Sequence, residues 1–412
     1  MTGEAAGVAG PARGARAAVR PPATRPVPAP RLLYVVTHGM SALHLLKGQL
    51  RWMREAGFEV AVAASPGPDL QAVAEREGVT VFAIPMRREI HPLADLRSLA
   101  ALTRLLRRWR PQVVNAGTPK AGLLGMMAAR LAGTPVRVYT LRGLRLETAR
   151  GRTRALLALT ERMASACAHS VVSVSESLRA AYCAMGLADP AKVVTLGAGS
   201  SNGVDAARFA LRTPADGQRL RASLGIAADA PVVGFVGRFT RDKGIGELLA
   251  AFEAVSAQVP GARLLLVGDF EAGDPVPEAV ARRLGEHPGV VRSGFVADTA
   301  PYFGAMDVLA FPSLREGFPN VPLEAAAAGL PVVAVRATGS VDAVVDGETG
   351  ALVEPGDAAA LAGALARYLR DPALRRRHGA AGQARVRERF APERVWSGLL
   401  DHYRGLLAAV RT

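Results

Sequence analysis

Cysteine is scarce in this chain of 412 residues, which contains only Cys167 and Cys183. Both lie in apolar segments with a helical pattern, and neither belongs to a spacing that is typical of a metal site. Two cysteines in a chain of this length do not form the dense disulfide framework of a small secreted domain. We therefore expect two reduced, buried thiols in a cytoplasmic protein.

Long apolar runs are also missing. No stretch approaches the roughly 18 consecutive apolar residues that span a bilayer, although 50% of the residues are hydrophobic. Helix-turn-helix, zinc-finger and aromatic-basic stacking patterns are absent too, so we expect no nucleic-acid partner. A chain of this length and apolar content can bury two ordinary cores, which predicts two domains.

Negative charge is deficient in only part of the chain, although the whole chain has a formal net charge of +15. Residues 1–31 contain five arginines and one acid, residues 32–200 contain 22 basic and 11 acidic residues, and residues 201–412 contain 24 of each. The excess outside the first 31 residues therefore lies in the first half. This asymmetry predicts an anionic partner for that half, either a membrane surface or a diphosphate-linked acceptor.

Residues 1–30 consist mainly of alanine, proline, glycine and arginine. Such a segment buries too little apolar surface to become ordered, and it lacks the apolar core of a signal peptide. We predict a disordered basic extension over residues 1–30, followed by a first domain over residues 31–200.

Short apolar runs alternate with helical patterns along the rest of the chain. This order is typical of a parallel sheet that is covered by helices on both faces. Strands are predicted at 32–37, 59–65, 79–85, 111–117, 136–141, 170–175, 232–237, 262–268, 290–295, 306–311, 331–335 and 350–353. Helices are predicted at 43–56, 69–77, 94–109 and 392–409. The sequence thus predicts an α/β fold of two Rossmann-like, doubly wound domains, with a Gly-Ser-Asn linker at 197–205 and the second domain over 201–391.

Two carboxylates, Glu316 and Glu324, flank a Gly-Phe-Pro-Asn-Val-Pro loop that leads into an alanine-rich helix. Pro322 suits the first helical turn, and Asn320 is the predicted N-cap. The free N–H groups of that turn and the positive end of the helix dipole would lie beside the carboxylates. Such a site fits an anion together with hydroxyl groups, as in a nucleotide sugar. The alternative is that both acids are ordinary side chains in solvent.

Arg238 and Lys243 lie just after a predicted buried strand, VVGFVGRF, where the chain turns into an amphipathic helix. Open α/β sheets bind ligands at this edge, outside the carboxyl ends of their strands. Two cations at this position suit a diphosphate.

The segments GRFTRDKG and EGFPNVPLEAAAAGLPVVA resemble the donor-binding half of the retaining family 4 glycosyltransferases, whose GT-B fold has two Rossmann-like domains facing across a cleft. In the first half, the resemblance is to the subgroup that extends capsular, O-antigen or other glycan chains on a polyprenyl-diphosphate carrier. It rests on LLKGQLRWMREAGFEV, IPMRREIHPLADLRSL, TPKAGLLGMMAARLAGTPVRVYTLRGL and GSSNGVD. The resemblance covers nearly the whole chain from Arg31 and implies that helix 392–412 packs back on the first domain.

The resemblance also implies roles for the residues of the second half. Glu316 would bind the hydroxyls of the donor sugar and Glu324 those of the ribose, while Arg238 and Lys243 would neutralise the leaving diphosphate. The remaining donor contacts implied are Gly317, Phe318, Asn320, Val321, Gly294 and Phe295. Because no DxD-like metal motif lies near them, we expect no metal and no cofactor besides a UDP-sugar substrate.

Candidate residues of the first half are Gly39, Lys120 and Arg142. Gly39 lies in the predicted turn after the first strand, and Lys120 lies at a helix N-terminus that suits an anionic acceptor; the alternatives are a plain turn and a solvated lysine. Arg142 stands where the subgroup usually has histidine, as do Asn115 and Gly117. Arginine keeps a hydrogen-bond donor but cannot serve as a neutral acceptor.

The function predicted is retaining transfer of a hexose or N-acetylhexosamine from a UDP-sugar to a glycan acceptor that is linked to polyprenyl diphosphate. We expect a cytoplasmic protein at the inner face of the cell membrane. Three alternatives are a transferase for a soluble aglycone, a nucleotide-sugar epimerase and a non-catalytic sugar-nucleotide sensor.

The basic amphipathic helix 94–109 is expected to pack on the sheet rather than to contact a membrane. It can do both if its arginines are exposed.

Overall fold

The computed structural model describes residues 2–3, 29–87, 89, 91–210 and 214–411. The prediction of a disordered extension over residues 1–30 falls, apart from residues 2–3 and 29–30, outside the described residues.

The first parallel sheet has seven strands in the order β3-β2-β1-β4-β5-β6-β7. The strands are β1 (Arg31–His38), β2 (Glu59–Ser65), β3 (Thr80–Ala83), β4 (Val113–Ala116), β5 (Val136–Leu141), β6 (Ser170–Ser173) and β7 (Val193–Thr195). Six of them were predicted within a few residues of these bounds. The seventh, β7, was missed because three residues are too few to show a pattern.

Helices cover both faces of this sheet. They are α1 (Gly39–Leu45), α2 (Gln49–Glu55), α3 (Pro68–Glu77), α4 (Pro92–Trp109), α5 (Pro119–Leu131), α6 (Gly151–Cys167) and α7 (Glu176–Ala184), with short 3-10 helices at Arg145–Glu147 and Pro190–Lys192. The single helix predicted over 43–56 is wrong. Gly48, at a φ of 76°, separates α1 from α2, and a Cβ there would lie 2.8 Å from the ring of Trp396. A distant segment of the chain thus decides where this helix breaks.

The second parallel sheet has six strands in the order β10-β9-β8-β11-β12-β13. The strands are β8 (Val232–Val236), β9 (Arg263–Val267), β10 (Val290–Gly294), β11 (Val308–Phe311), β12 (Val332–Val335) and β13 (Gly350–Val353). Its helices are α8 (Ala206–Ala210), α9 (Pro214–Ser223), α10 (Ile245–Gln258), α11 (Glu278–Glu286), α12 (Ala300–Phe303), α13 (Asn320–Ala327), α14 (Ser340–Ala343), α15 (Ala358–Arg370) and α16 (Pro372–Arg389).

Both sheets are doubly wound. The strand order reverses between β1 and β4 in the first sheet and between β8 and β11 in the second. Crevices outside the carboxyl ends of the strands at such switch points are where open α/β sheets bind ligands. The predicted pair of Rossmann-like domains is therefore confirmed.

The last helix, α17 (Pro392–Arg411), packs on the first sheet rather than the second. Tyr403 is fully buried there, and its hydroxyl accepts a hydrogen bond of 2.6 Å from Nδ2 of Asn115 in β4. The rings of Trp396 and Trp52 lie 6.1 Å apart between α17 and α2. The amphipathic pattern of α17 thus buries its apolar side across the domain boundary.

Helix α4 packs on the first sheet through Leu102 and Leu106, which are buried, while Arg104, Arg107 and Arg108 are exposed. The packing role predicted for this helix is correct, and its arginines form part of a basic outer surface.

We expect Tyr403→Phe to weaken the packing of α17 while leaving the ring in place. The substitution removes the hydroxyl that accepts from Asn115, so a buried amide donor loses its partner, at about 1–3 kcal/mol of unfolding free energy. Urea denaturation measures this loss. Tyr302→Phe in α12 is the control, because Tyr302 is half-buried and makes no side-chain hydrogen bond with any residue that the structure describes. Equal effects of the two variants would contradict this account of α17.

Candidate active site

The carboxyl ends of the two sheets meet at Gly317. A Cβ at this position would overlap the carbonyl oxygen of Arg142, just after β5, so only glycine permits this approach of the two backbones. The carbonyl oxygen of Gly317 accepts a hydrogen bond of 2.6 Å from Oγ of Ser175, which precedes α7. Gly317 therefore lies at a close contact between the two domains.

A second contact between the domains lies beside the first. Asp342 in α14 accepts hydrogen bonds from the backbone N–H groups of Glu176 and Ser177, at 3.0 and 3.2 Å. These are first-turn donors of α7, which no residue of that helix can satisfy. The second domain thus caps a helix of the first and holds the loop around Gly317 in place.

Glu316 and Lys243 form an ion pair in this cleft, with side chains that are mostly buried. Ser313 Oγ donates a 2.6 Å hydrogen bond to the same oxygen, Oε1, of Glu316, and the ammonium group lies 5.6 Å from the ring centre of Phe311. The structure thus brings together two residues that the sequence placed at separate positions of the second half.

Arg238 lies at the rim of the cleft, where its side chain is 62% exposed and pairs with Glu271. It follows β8, just as the sequence predicted. An exposed guanidinium on a short strand-to-helix loop can move by a rotamer change, whereas Lys243 is held by two partners.

Helix α13 begins at Asn320, so the prediction that Asn320 caps the helix is wrong. The N-cap is Pro319, whose side chain cannot accept a hydrogen bond, so no side chain caps the first-turn N–H groups. Oδ1 of Asn320 is buried without a hydrogen-bond partner among the described residues. The Phe318 ring points away, against Phe390 at 5.3 Å, so only the backbone of Phe318 faces the site. Val321 follows in the same turn.

Glu324 lies one turn farther along α13 and is half-buried. Desolvation raises the pKa of Glu324 to about 7, opposed by the positive charge of Arg208. Glu324 is therefore not an ordinary acid in solvent, which was the alternative interpretation of the sequence.

Gly294 and Phe295 lie at the carboxyl end of β10. Gly294 has a φ of 71°, and the Phe295 side chain after it is 83% exposed. This turn leaves the aromatic face of Phe295 exposed at the same edge of the sheet as Glu324.

Gly39 does not lie in a turn, as predicted, but starts α1. A Cβ there would overlap the backbone of Leu70 in α3, so packing between helices explains this glycine.

Lys120, in the first turn of α5, is not a solvated lysine. Its ammonium group donates to both carboxylate oxygens of Asp95 in α4, at 2.7 and 2.9 Å.

Arg142, Gly117 and Asn115 lie together. A Cβ on Gly117 would be 3.1 Å from Nε of Arg142 and 3.8 Å from Oδ1 of Asn115, so the missing side chain at 117 makes room for the guanidinium. Nη1 of Arg142 donates to the carbonyl oxygen and to Oγ of Ser201, at 2.9 and 2.6 Å. Burial lowers the pKa of Arg142 to about 10, so the group stays charged at neutral pH.

Several residues of the cleft were not predicted, among them Ser175, Glu147 and Thr338. Thr338 Oγ1 donates to Oε1 of Glu147 at 2.6 Å, across the two domains. In the sequence each of them is a single polar residue after a strand, and such residues are too common to be singled out as site candidates. Arg315 was seen only as the start of a segment, yet it pairs with Asp242.

Neither a metal centre nor a membrane span is found in the described part of the chain. No three of its histidine, cysteine, aspartate or glutamate side chains are grouped so as to hold a metal ion. None of its helices is both long and apolar enough to cross a bilayer. Metal independence stays a prediction.

Two family models match the chain. "Glycosyl transferase 4-like domain" matches residues 45–199 and "Glycosyl transferases group 1" matches residues 230–371. A capsular polysaccharide biosynthesis glycosyltransferase, CapM of Staphylococcus aureus, is 36% identical over 378 residues, which are 92% of this chain and 97% of the relative. The chain belongs to the family 4 glycosyltransferases.

A second relative and a solved structure are also similar to this chain. A UDP-Gal:alpha-D-GlcNAc-diphosphoundecaprenol alpha-1,3-galactosyltransferase of Escherichia coli is 28% identical, over 72% of this chain and 77% of the relative. Among solved structures, HepE of Anabaena in complex with UDP has a TM-score of 0.77 at 24% identity, over 91% of this chain and 100% of that one. The predicted GT-B fold and the prediction of a glycosyltransferase are confirmed.

We expect Gly317→Ala to lower glycosyl transfer strongly. The added Cβ overlaps the carbonyl oxygen of Arg142, so the loop that carries Glu316 must shift, and a displacement of about 1 Å can reduce the rate about 100-fold. Turnover of the purified variant measures this effect. Gly246→Ala in α10 is the control, because a Cβ there has no neighbour within 4 Å. Wild-type turnover of the Gly317 variant would contradict the close contact.

Proposed function

We propose that this protein is a retaining, metal-independent glycosyltransferase of surface polysaccharide biosynthesis. It moves a hexose or N-acetylhexosamine from a UDP-sugar to a glycan linked to polyprenyl diphosphate. The observation that carries the proposal is the pairing of Lys243 with Glu316 in the cleft, next to the open N-terminus of α13.

The donor diphosphate lies between Arg238, Lys243 and the first-turn N–H groups of α13 in this proposal. A helix N-terminus and two cations together form an anion site of fixed donors. Each cation is paired with a carboxylate in this structure, Arg238 with Glu271 and Lys243 with Glu316. Phosphate oxygens replace these carboxylates as partners, which leaves Glu316 to accept hydrogen bonds from hydroxyls of the donor sugar.

The nucleoside end of the donor lies toward β10. Glu324 binds the two ribose hydroxyls, and the uracil lies against the backbone at Gly294 and Phe295. The support is the placement of these groups at one edge of the second sheet, together with the UDP-bound structure of the related fold.

The transfer step needs no metal. The bond from the anomeric carbon to the diphosphate oxygen breaks, and the acceptor hydroxyl forms a new bond to that carbon on the same face. The hydroxyl proton passes to an oxygen of the leaving diphosphate. Arg238, Lys243 and the backbone N–H groups of Phe318, Asn320 and Val321 stabilise the charge that grows on the diphosphate, and stabilisation of this kind is often the largest contribution to catalysis.

The acceptor side is the first domain. Leu156, Leu159 and Met163 in α6 are exposed on one side of that helix, and Arg152, Arg154 and Arg162 are exposed around them. Exposed apolar side chains within a basic surface suit an interface with anionic lipid. The protein therefore acts at the inner face of the cell membrane, where its acceptor is anchored.

Two cations are proposed to contact the acceptor diphosphate, Lys120 and Arg142. Lys120 must exchange Asp95 for phosphate to do so, and Arg142 must exchange Ser201. The E. coli relative is named for an acceptor on diphosphoundecaprenol, which supports a lipid-linked substrate here.

Release of UDP from a panel of UDP-sugars, in the presence of EDTA, tests this proposal. We expect release that depends on membrane vesicles bearing polyprenyl-diphosphate glycans, because donor and acceptor must meet in the cleft. Glu316→Gln should lower the rate about 100-fold or more. Arg336→Ala, which removes an exposed ion pair with Asp346, is the matched control. A rate that requires a divalent metal, or that is the same without vesicles, would contradict the proposal.

Donor binding should strengthen as the pH rises through about 7. The carboxylate of Glu324 accepts hydrogen bonds from both ribose hydroxyls, whereas the protonated group, which predominates below its pKa of about 7, has lost part of that capacity. Binding then requires release of a proton, and well below pH 7 the affinity falls by up to about tenfold per pH unit. Titration calorimetry with UDP measures this slope. Glu324→Gln should bind more weakly and without the slope; an unchanged slope would assign the pH dependence to another group.

A further inference from the structure

Ser175 connects the first domain to the loop that carries Glu316. Its Oγ donates the 2.6 Å hydrogen bond to the carbonyl oxygen of Gly317 and accepts a hydrogen bond of 3.3 Å from the backbone N–H of Leu178 in α7. The side chain is fully buried, so both partners are inside the protein. One hydroxyl group thus caps a helix of the first domain and holds a carbonyl group of the second.

The backbone of Ser175 is itself held in place between β6 and α7. Its carbonyl oxygen accepts hydrogen bonds from Oγ of Ser173, at 2.8 Å, and from the backbone N–H of Arg179, at 3.1 Å. A Cβ on Gly199 would overlap the carbonyl oxygen of Val174, so the linker packs directly against the residue before Ser175. The hydroxyl that reaches Gly317 therefore starts from a fixed position in the first domain.

The peptide group between Gly317 and Phe318 has little local constraint on its glycine side. Glycine lacks a Cβ, so its backbone adopts a wider range of conformations than that of any other residue. Phe318 is more restricted, because it precedes Pro319 and because its ring centre lies 5.3 Å from that of Phe390. The orientation of this peptide plane therefore depends on what holds the carbonyl oxygen of Gly317.

Two elements surround that carbonyl oxygen. Ser175 donates to it, and a Cβ on Gly339 would lie only 2.6 Å from it, so the backbone before α14 also packs against it. The peptide bond is trans, and a trans peptide directs its carbonyl oxygen and its N–H to opposite sides. The N–H of Phe318 therefore points away from Ser175 and Gly339. It has no hydrogen-bond partner among the residues that the structure describes.

We propose that Ser175 is a positioning residue, which orients the N–H of Phe318 toward the donor diphosphate by holding the carbonyl oxygen of the same peptide group. The inference rests on the proposed function, in which this N–H donates to the diphosphate. N–H donors that are already oriented stabilise a growing negative charge without having to move during the reaction. In this role Ser175 touches no reacting atom and acts only through the peptide group.

A purely structural role is the competing explanation, because the same hydroxyl caps α7 and joins the two domains. Loss of a cap or of a domain contact destabilises the fold and affects binding of the whole nucleotide. Loss of the orientation of one N–H weakens binding of the diphosphate alone. Uridine has the base and ribose of UDP but no phosphate, so a comparison of the two ligands separates these effects.

The affinities of the full-length protein for UDP, by titration calorimetry, and for uridine, by displacement of UDP, test the proposal. We expect Ser175→Ala to weaken UDP binding about tenfold, as for the loss of one hydrogen bond to a charged group. Its affinity for uridine should match that of the wild type, which also shows that the variant is folded. Ser175→Thr keeps a hydroxyl donor and should retain the preference for UDP.

Two control variants remove hydrogen bonds without touching this peptide group. Ser165→Ala removes the 2.6 Å hydrogen bond between a buried serine and Tyr182 of α7, and Thr338→Val removes the 2.6 Å hydrogen bond to Glu147 across the domains. Each should keep the wild-type ratio of the two affinities, although each lowers the free energy of unfolding.

The amide resonance of Phe318 in the wild-type protein provides a second measurement, which does not depend on the folding of any variant. We expect UDP to shift this resonance and uridine to leave it nearly unchanged. A resonance that UDP does not move would show that the N–H of Phe318 donates to no phosphate, and would overturn the inference.

Three results with the variants would overturn the inference alone. Ser175→Ala could keep the full preference for UDP over uridine, which would show that the hydroxyl orients no phosphate donor. An equal loss of both affinities would leave only the structural role. The same selective loss in Thr338→Val would assign the effect to contact between the domains in general. A wild-type protein that binds UDP no more tightly than uridine would instead refute the proposed diphosphate site, and this inference with it.

Discussion

The rest of the site depends on the approach of two backbones at Gly317. Because residue 317 has no side chain, the loop before α13 can lie directly against Arg142 and Gly143 of the first domain. Ser175 then holds the carbonyl oxygen of Gly317, and Asp342 caps α7 from the opposite domain. The two domains are therefore fixed relative to each other at this point, which in the proposed function is where the sugar passes from donor to acceptor.

Ion pairs between side chains balance the charge of this site. Four cations of the cleft are each paired with a carboxylate, namely Lys243 with Glu316, Arg238 with Glu271, Arg315 with Asp242 and Lys120 with Asp95. Arg142 instead donates to Ser201. These pairs avoid unbalanced charge in a partly desolvated space. In the proposed function, an incoming diphosphate replaces Glu316 and Glu271 as the partner of Lys243 and Arg238, and the released carboxylate of Glu316 becomes an acceptor for sugar hydroxyls.

The sequence predicted the sheets and the second-domain loops because these depend on local patterns. Apolar runs gave twelve of the thirteen strands, and the segment from Glu316 to Glu324 gave the start of α13 between two acids. It could not predict what depends on distant contacts. The break between α1 and α2 at Gly48 depends on the contact with Trp396, and position 39 has to be glycine because α3 packs against it. The Glu147–Thr338 hydrogen bond joins residues 191 positions apart. Asn320 failed as a cap because Pro319 already occupies that position.

The central claim is that one nucleotide sugar contacts both domains across Gly317. Amide hydrogen exchange in the presence of EDTA, with and without a UDP-hexose, tests it most directly. Binding should slow exchange at Phe318, Asn320 and Val321, whose N–H groups are proposed to hold phosphate, and at 143–147 in the first domain, where the sugar is proposed to lie. Protection of the second domain alone would contradict a shared site, and unchanged exchange in both segments despite measurable binding would place the donor elsewhere.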